Sequence, residues 1–148
     1  TRRYRFDIAL LARRLVGAID WLRRQEGLRE APVGVFGSST SAAAALIAAA
    51  ERPDTVRAVV SRGDRTDLAG DALARVQAPT LMIVGGEDAP VMQMNRDSLA
   101  RMAASVRLEV VPGAGHLFEG PGELEQVARL ARGWFAEHLG RARGTAGA

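Results

Sequence analysis

Three residues whose types together do nucleophilic acyl chemistry follow one another along the chain: Ser39 in Gly37-Ser-Ser-Thr-Ser41, Asp88 in Gly85-Gly-Glu-Asp88, and His116 in Pro112-Gly-Ala-Gly-His116. Each stands just past a run that reads as a β-strand. A serine hydroxyl is too weak an acid to attack a carbonyl unaided, so a base must take its proton as the new bond forms. An imidazole does this near neutral pH and returns the proton to the leaving group. A carboxylate on the other ring nitrogen fixes the tautomer and stabilises the imidazolium.

Each residue also has a reading without chemistry. Ser38, Ser39 or Thr40 suits the N-cap of the alanine-rich helix that follows. Asp88 suits a turn or the cap of the next helix, and Asp64 in Ser61-Arg-Gly-Asp64 is a rival acid. Of the two histidines, His138 falls in the last turn of the final predicted helix, where the helix dipole accounts for it. His116 has no such explanation. Arg62, Met92, Leu117 and Phe118 flank the predicted site. Arg62 suits a substrate carboxylate, or a surface ion pair; the other three suit core or cap packing.

The elements that must position these residues alternate. Ile8, Leu11, Leu15, Ile19 and Leu22 recur at helical spacing and predict an amphipathic helix from about Phe6 to Gln25. Pro32 to Gly37 reads as a strand, followed by a helix to Glu51 that Arg52-Pro53 stops. Val56–Val60 is a second strand, Asp67–Val76 a modest helix and Thr80–Val84 a third strand. Val91–Ala104 is predicted helical, Val106–Val111 a fourth strand, and Pro121–Leu139 a final helix with Pro in its first turn. The fold class is therefore α/β: a parallel sheet of about four strands, with right-handed crossovers and helices on both faces. Sites in such sheets form at the carboxyl ends of the strands, where all three candidates lie. The apolar strand Val33–Phe36 suits the middle of a larger sheet; left at an edge it invites pairing.

Composition excludes several functions. With 47% hydrophobic and 25% charged residues, the 148-residue chain is that of an ordinary globular domain. There is no cysteine, hence no disulfide, thiolate metal site or cysteine nucleophile. All 20 basic side chains are arginine, so the lysine of a P-loop is missing, and Gly34-x-x-Gly37 has the wrong spacing for a dinucleotide fingerprint. No metal or cofactor is expected. The arginines crowd the first helix, with Arg13 and Arg24 on one solvated face and no interleaved aromatics, against nucleic-acid binding. The longest apolar run, Ala42–Ala50, is too short to span a bilayer.

A Ser, an acid and a His in that chain order, at successive strand ends, is the arrangement of an α/β-hydrolase triad. The chain resembles α/β hydrolases of the dienelactone-hydrolase-like group in Val35-Phe-Gly-Ser-Ser-Thr40 with its alanine-rich helix, in Thr80-Leu-Met-Ile-Val-Gly-Gly-Glu-Asp88, and in Val111-Pro-Gly-Ala-Gly-His116. It is similar in particular to the hydrolase domains that stand beside a phosphoribosyltransferase domain in some bacterial proteins. The resemblance implies Ser39 as nucleophile, Asp88 as acid, His116 as base and the Thr40 amide as one oxyanion donor. It departs at Ser41, where the family usually has glycine. It also implies that the family's early strands, and the loop supplying the second oxyanion amide, precede Thr1. The expected organisation is a partial hydrolase domain over 1–139 and a disordered tail over 140–148. The expected function is a cytoplasmic serine hydrolase acting on an ester, lactone or related small acyl substrate, with a homodimer or other association through the exposed sheet edge. The alternative is a noncatalytic module of the same fold.

Overall fold

The computed structural model describes residues 7–63 and 65–146. The rival acid Asp64 lies outside them. Asp7 opens the first helix, its carboxylate accepting the Leu10 N–H at 2.9 Å. Helix α1 runs Ile8–Arg23 and turns Ala12, Val16 and Ile19 inward. Strand β1 is Val33–Ser38 and helix α2 Thr40–Glu51. Strand β2 is Val56–Arg62, and a 3-10 segment spans Arg65–Arg75. There follow β3, Thr80–Gly85; α3, Ala89–Ala100; β4, Val106–Val111; and α4, Glu123–Ala146.

The four strands lie in the order β1-β2-β3-β4 and every pairing is parallel. Both faces of the sheet are covered, and the period of two shows in the core. Val59 packs into a cluster with α1, α2 and the 3-10 segment, whereas Ala58 and Val60 face a second cluster built on Phe118 and α4. Alanine sets the spacing of the first cluster, for Ala42 to Ala45, Ala48 and Ala49 of α2 are all buried. With methyl groups at most of these contacts and Leu46 the larger side chain buried among them, the helix axis lies close to the sheet. Across the ends of α1 and α2, Arg52 donates to both carboxylate oxygens of Asp20, at 2.8 and 2.9 Å. This hydrogen bonding holds the Asp20 carboxyl below its usual range.

Several expectations are corrected. The helix predicted over Asp67–Val76 is a 3-10 segment in two pieces, broken at Gly70, whose φ of 57° lies outside helical space. Helix α3 ends at Ala100 rather than Ala104, where the Arg101 and Met102 N–H groups turn back on Ser98 and Leu99. Pro121 precedes α4 instead of opening it, because Gly122 takes φ 75°. Since α4 runs past Leu139 to Ala146, His138 is not in its last turn; it packs on Trp134 with ring centroids 4.2 Å apart. Strand β1 is indeed an edge, and Phe36 on it is 48% exposed.

Because Ala45 has no exposed surface, Ala45→Leu should lower the unfolding free energy by about 1–3 kcal/mol through overpacking. Denaturant melts of the two proteins measure this directly.

Candidate active site

Ser39 joins β1 to α2 with φ 56° and ψ −126°, close to the first central position of a type II′ turn, which glycine normally fills. A non-glycine residue held there is strained by about 1–3 kcal/mol. The turn is over-determined from three sides. Ser39 N–H donates to the Arg62 carbonyl at 3.2 Å and Ala42 N–H to the Ser39 carbonyl at 3.2 Å. The Ser41 hydroxyl accepts from Ser38 N–H at 2.9 Å and donates to Ser38 C=O at 2.6 Å. Gly37 is required, since a Cβ on it would lie 2.8 Å from the Ala42 Cα. Ser41, standing where the resemblance leads one to expect glycine, thus braces the turn with its side chain.

The capping reading fails for both candidates. Ser39 occupies the N-cap position of α2, yet its side chain makes no capping hydrogen bond. Asp88 occupies the N-cap position of α3 and likewise makes none. Instead its Oδ2 lies 3.5 Å from His116 Nδ1, with the Asp88 side chain 18% exposed. Thr40 opens α2, so its N–H is among the first-turn donors that have no intrahelical acceptor.

The loops that carry Asp88 and His116 are laced together by their backbones. Gly86 N–H donates to Val111 C=O at 2.9 Å, and Glu87 N–H to Ala114 C=O at 3.0 Å. Gly85 must be glycine, because a Cβ would strike the carbonyls of Ala114 and Gly115. On the other side, Gly63 N–H donates to Ile83 C=O at 2.9 Å, while the buried Asn95 amide donates to Gly63 C=O at 3.1 Å. Gly63 is the meeting point. The position a Cβ would take on it lies 3.7 Å from Ser39 N and 3.7 Å from His116 Cε1. Ser39, Asp88 and His116 therefore converge at one end of the sheet.

Arg62 ends β2, and its guanidinium carbon lies 5.3 Å from the centroid of the Phe118 ring. Phe118 is buried at 1% exposure, whereas Leu117 is 59% exposed. Beside this turn is a cavity of about 370 Å³ lined by His116, Leu117, Phe118 and Glu119 among others. Sequence reasoning missed Asn95 and Gly63. An Asn on an otherwise amphipathic helix was the one available signal, and nothing in the sequence tied it to Gly63.

The sequence profile of the dienelactone hydrolase family matches residues 6–136. A putative phosphoribosyl transferase of Mycobacterium tuberculosis is 57% identical over 134 residues, covering 90% of this chain and 30% of that protein. An uncharacterized protein of the same organism is 32% identical over 140 residues, covering 76% of this chain and 49% of its own length. Among solved structures, dienelactone hydrolase from Anabaena variabilis superposes with a TM-score of 0.90 at 58% identity, covering 93% of this chain and 64% of that one. A monoacylglycerol lipase from Paleococcus ferrophilus, at 16% identity, shares the fold with a TM-score of 0.68, covering 86% of this chain and 76% of that one. The chain thus spans less than a third of the mycobacterial transferase and under two thirds of the cyanobacterial enzyme.

Since glycine tolerates the Ser39 backbone and serine does not, Ser39→Gly should raise stability by about 1 kcal/mol. A lowered denaturation midpoint would show instead that the serine hydroxyl is structural. Gly85→Ala should act in the opposite direction, destabilising by about 1–3 kcal/mol as the two loops are forced apart. Thermal and denaturant melts of both variants read these signs.

Proposed function

Because the chain belongs to the dienelactone hydrolase family, we propose that it is a serine hydrolase cleaving an ester, lactone or related small acyl compound. The observation that carries this reading is the convergence around Gly63 of a serine held at φ 56° without a capping role and a histidine whose Nδ1 is 3.5 Å from a carboxylate. Ser39 Oγ attacks the acyl carbon as His116 Nε2 takes its proton. Asp88, on the Nδ1 side, holds the tautomer and stabilises the imidazolium. The tetrahedral oxyanion receives the Thr40 N–H at the amino end of α2. Collapse expels the alkoxide, which takes the proton from His116 and leaves an acyl-Ser39 ester. Water, deprotonated by the same imidazole, then releases the acid and restores Ser39. No step needs a metal or cofactor.

The transferase name belongs to a mycobacterial protein of which this chain matches 30%, and the hydrolase reading concerns that matched portion alone. A second reading, association with another chain or domain, has its support in the β1 edge with Phe36 half exposed. Ser39→Ala separates them, since it should abolish turnover and leave association untouched.

A fluorophosphonate probe, with the adduct mapped by mass spectrometry, tests the first reading. The expected adduct is on Ser39, absent from Ser39→Ala, with labelling of His116→Ala slower by a factor on the order of a thousand or more. Ester hydrolysis that survives Ser39→Ala would sink the proposal. For the second reading, light scattering should report a mass above that of one chain, and Phe36→Lys should return it to one.

A further inference from the structure

Arg62 touches both halves of the proposed machinery. Its backbone carbonyl accepts the Ser39 N–H at 3.2 Å, and its guanidinium lies over Phe118, 5.3 Å from the ring centroid. Phe118 in turn fixes the turn that carries His116. It is a non-glycine residue at φ 53°, its N–H donates to Gly115 C=O at 3.3 Å, and its ring is sunk in the cluster with Val60, Ile83 and Val111. His116 and Leu117 lie between these two anchors, and the His116 side chain is 40% exposed. Burial alone therefore does not hold the imidazole; its contact with Asp88 and the turn beneath it share that task. Among the described residues the ion pairs join Arg52 to Asp20, Arg65 to Asp67, Arg101 to Asp71 and His116 to Asp88, and none involves Arg62. The recorded side-chain contact of Arg62 is the aromatic face, an arrangement that suits a planar guanidinium better than an ammonium.

We propose that Arg62 is a positioning residue: its stacking on Phe118 clamps the Gly115–Phe118 turn against the end of β2 and so fixes the His116 imidazole relative to Ser39. The proposal rests on the hydrolase reading for its effect on rate, but not for its effect on the imidazole. Misplacing a catalytic group by about 1 Å can cost a hundredfold in rate.

The test compares wild type with Arg62→Met, Arg62→Lys and Phe118→Leu, and with the Arg62→Met/Phe118→Leu double variant. Each is checked for cooperative melting and assayed with a neutral ester and with an ester bearing a carboxylate. Arg62→Met should slow both substrates and the fluorophosphonate reaction by about tenfold to a hundredfold. KM should be unchanged. Arg62→Lys should recover part of the loss, and the double variant should be no slower than the worse single one. In nuclear magnetic resonance spectra the His116 ring resonances should be displaced in both Arg62→Met and Phe118→Leu. The proposal is overturned if the neutral ester is hydrolysed normally while KM rises for the carboxylate ester, which would make Arg62 a substrate anchor. It is equally overturned if the two single effects simply multiply. Should wild type react with no probe or ester, the hydrolase reading fails alone. The His116 ring resonances then decide: displacement in both Arg62→Met and Phe118→Leu supports the clamp, and unmoved resonances overturn it.

Discussion

Every parallel strand that ends at a loop leaves backbone donors and acceptors which must find partners or remain costly. In this protein they find one another across neighbouring loops. Ser39 N–H is bound by the end of β2, Gly63 N–H by β3, and Gly86 and Glu87 N–H by β4 and the loop beyond it. The carboxyl edge of the sheet is thus one continuous hydrogen-bonded seam. The candidate side chains project from the seam, so their relative positions are set by backbone geometry and not by the flexibility of separate loops. The glycines at 37 and 85 follow from the same constraint, since the seam closes too tightly there for a Cβ.

The seam also makes the strain at Ser39 sustainable. A serine at positive φ would relax if any one contact held it, but here the Arg62 carbonyl, the Ala42 amide and the Ser41 hydroxyl all act on the same turn. Behind it the methyl-lined face of α2 packs without exposed surface, so the helix cannot shift to relieve the turn. Stability is invested in the scaffold and given up locally at the turn that holds Ser39.

Much of this was legible in the sequence, and the limits have physical causes. The strands were readable because each is a short apolar run bounded by Gly, Pro or charged residues, and their parallel order followed from alternation with helices. That Ser39, Asp88 and His116 stand just past the ends of β1, β3 and β4 was readable from where the apolar runs stop. What could not be read was whether Ser39 and Asp88 cap their helices, because that depends on a dihedral angle and on where a side chain points. The helix expected at Asp67 failed because a single glycine, Gly70, outweighed the apolar pattern around it. His138 was misplaced because α4 does not end at Gly140. The contact of Arg62 with Phe118 joins residues far apart in sequence, and no local pattern encodes it.

Four adjacent hydroxyls, on Ser38, Ser39, Thr40 and Ser41, would offer a reagent little basis for choosing among them in an unfolded chain. The fold makes the choice before any reagent arrives. Ser41 Oγ is engaged twice by the Ser38 backbone, whereas Ser39 is lifted onto a turn where its side chain takes no part in holding the helix. Under the proposed hydrolase reading the bracing hydroxyl at position 41 would act as an element of regioselectivity: in holding the turn, it withdraws itself from competition with the serine that the turn presents.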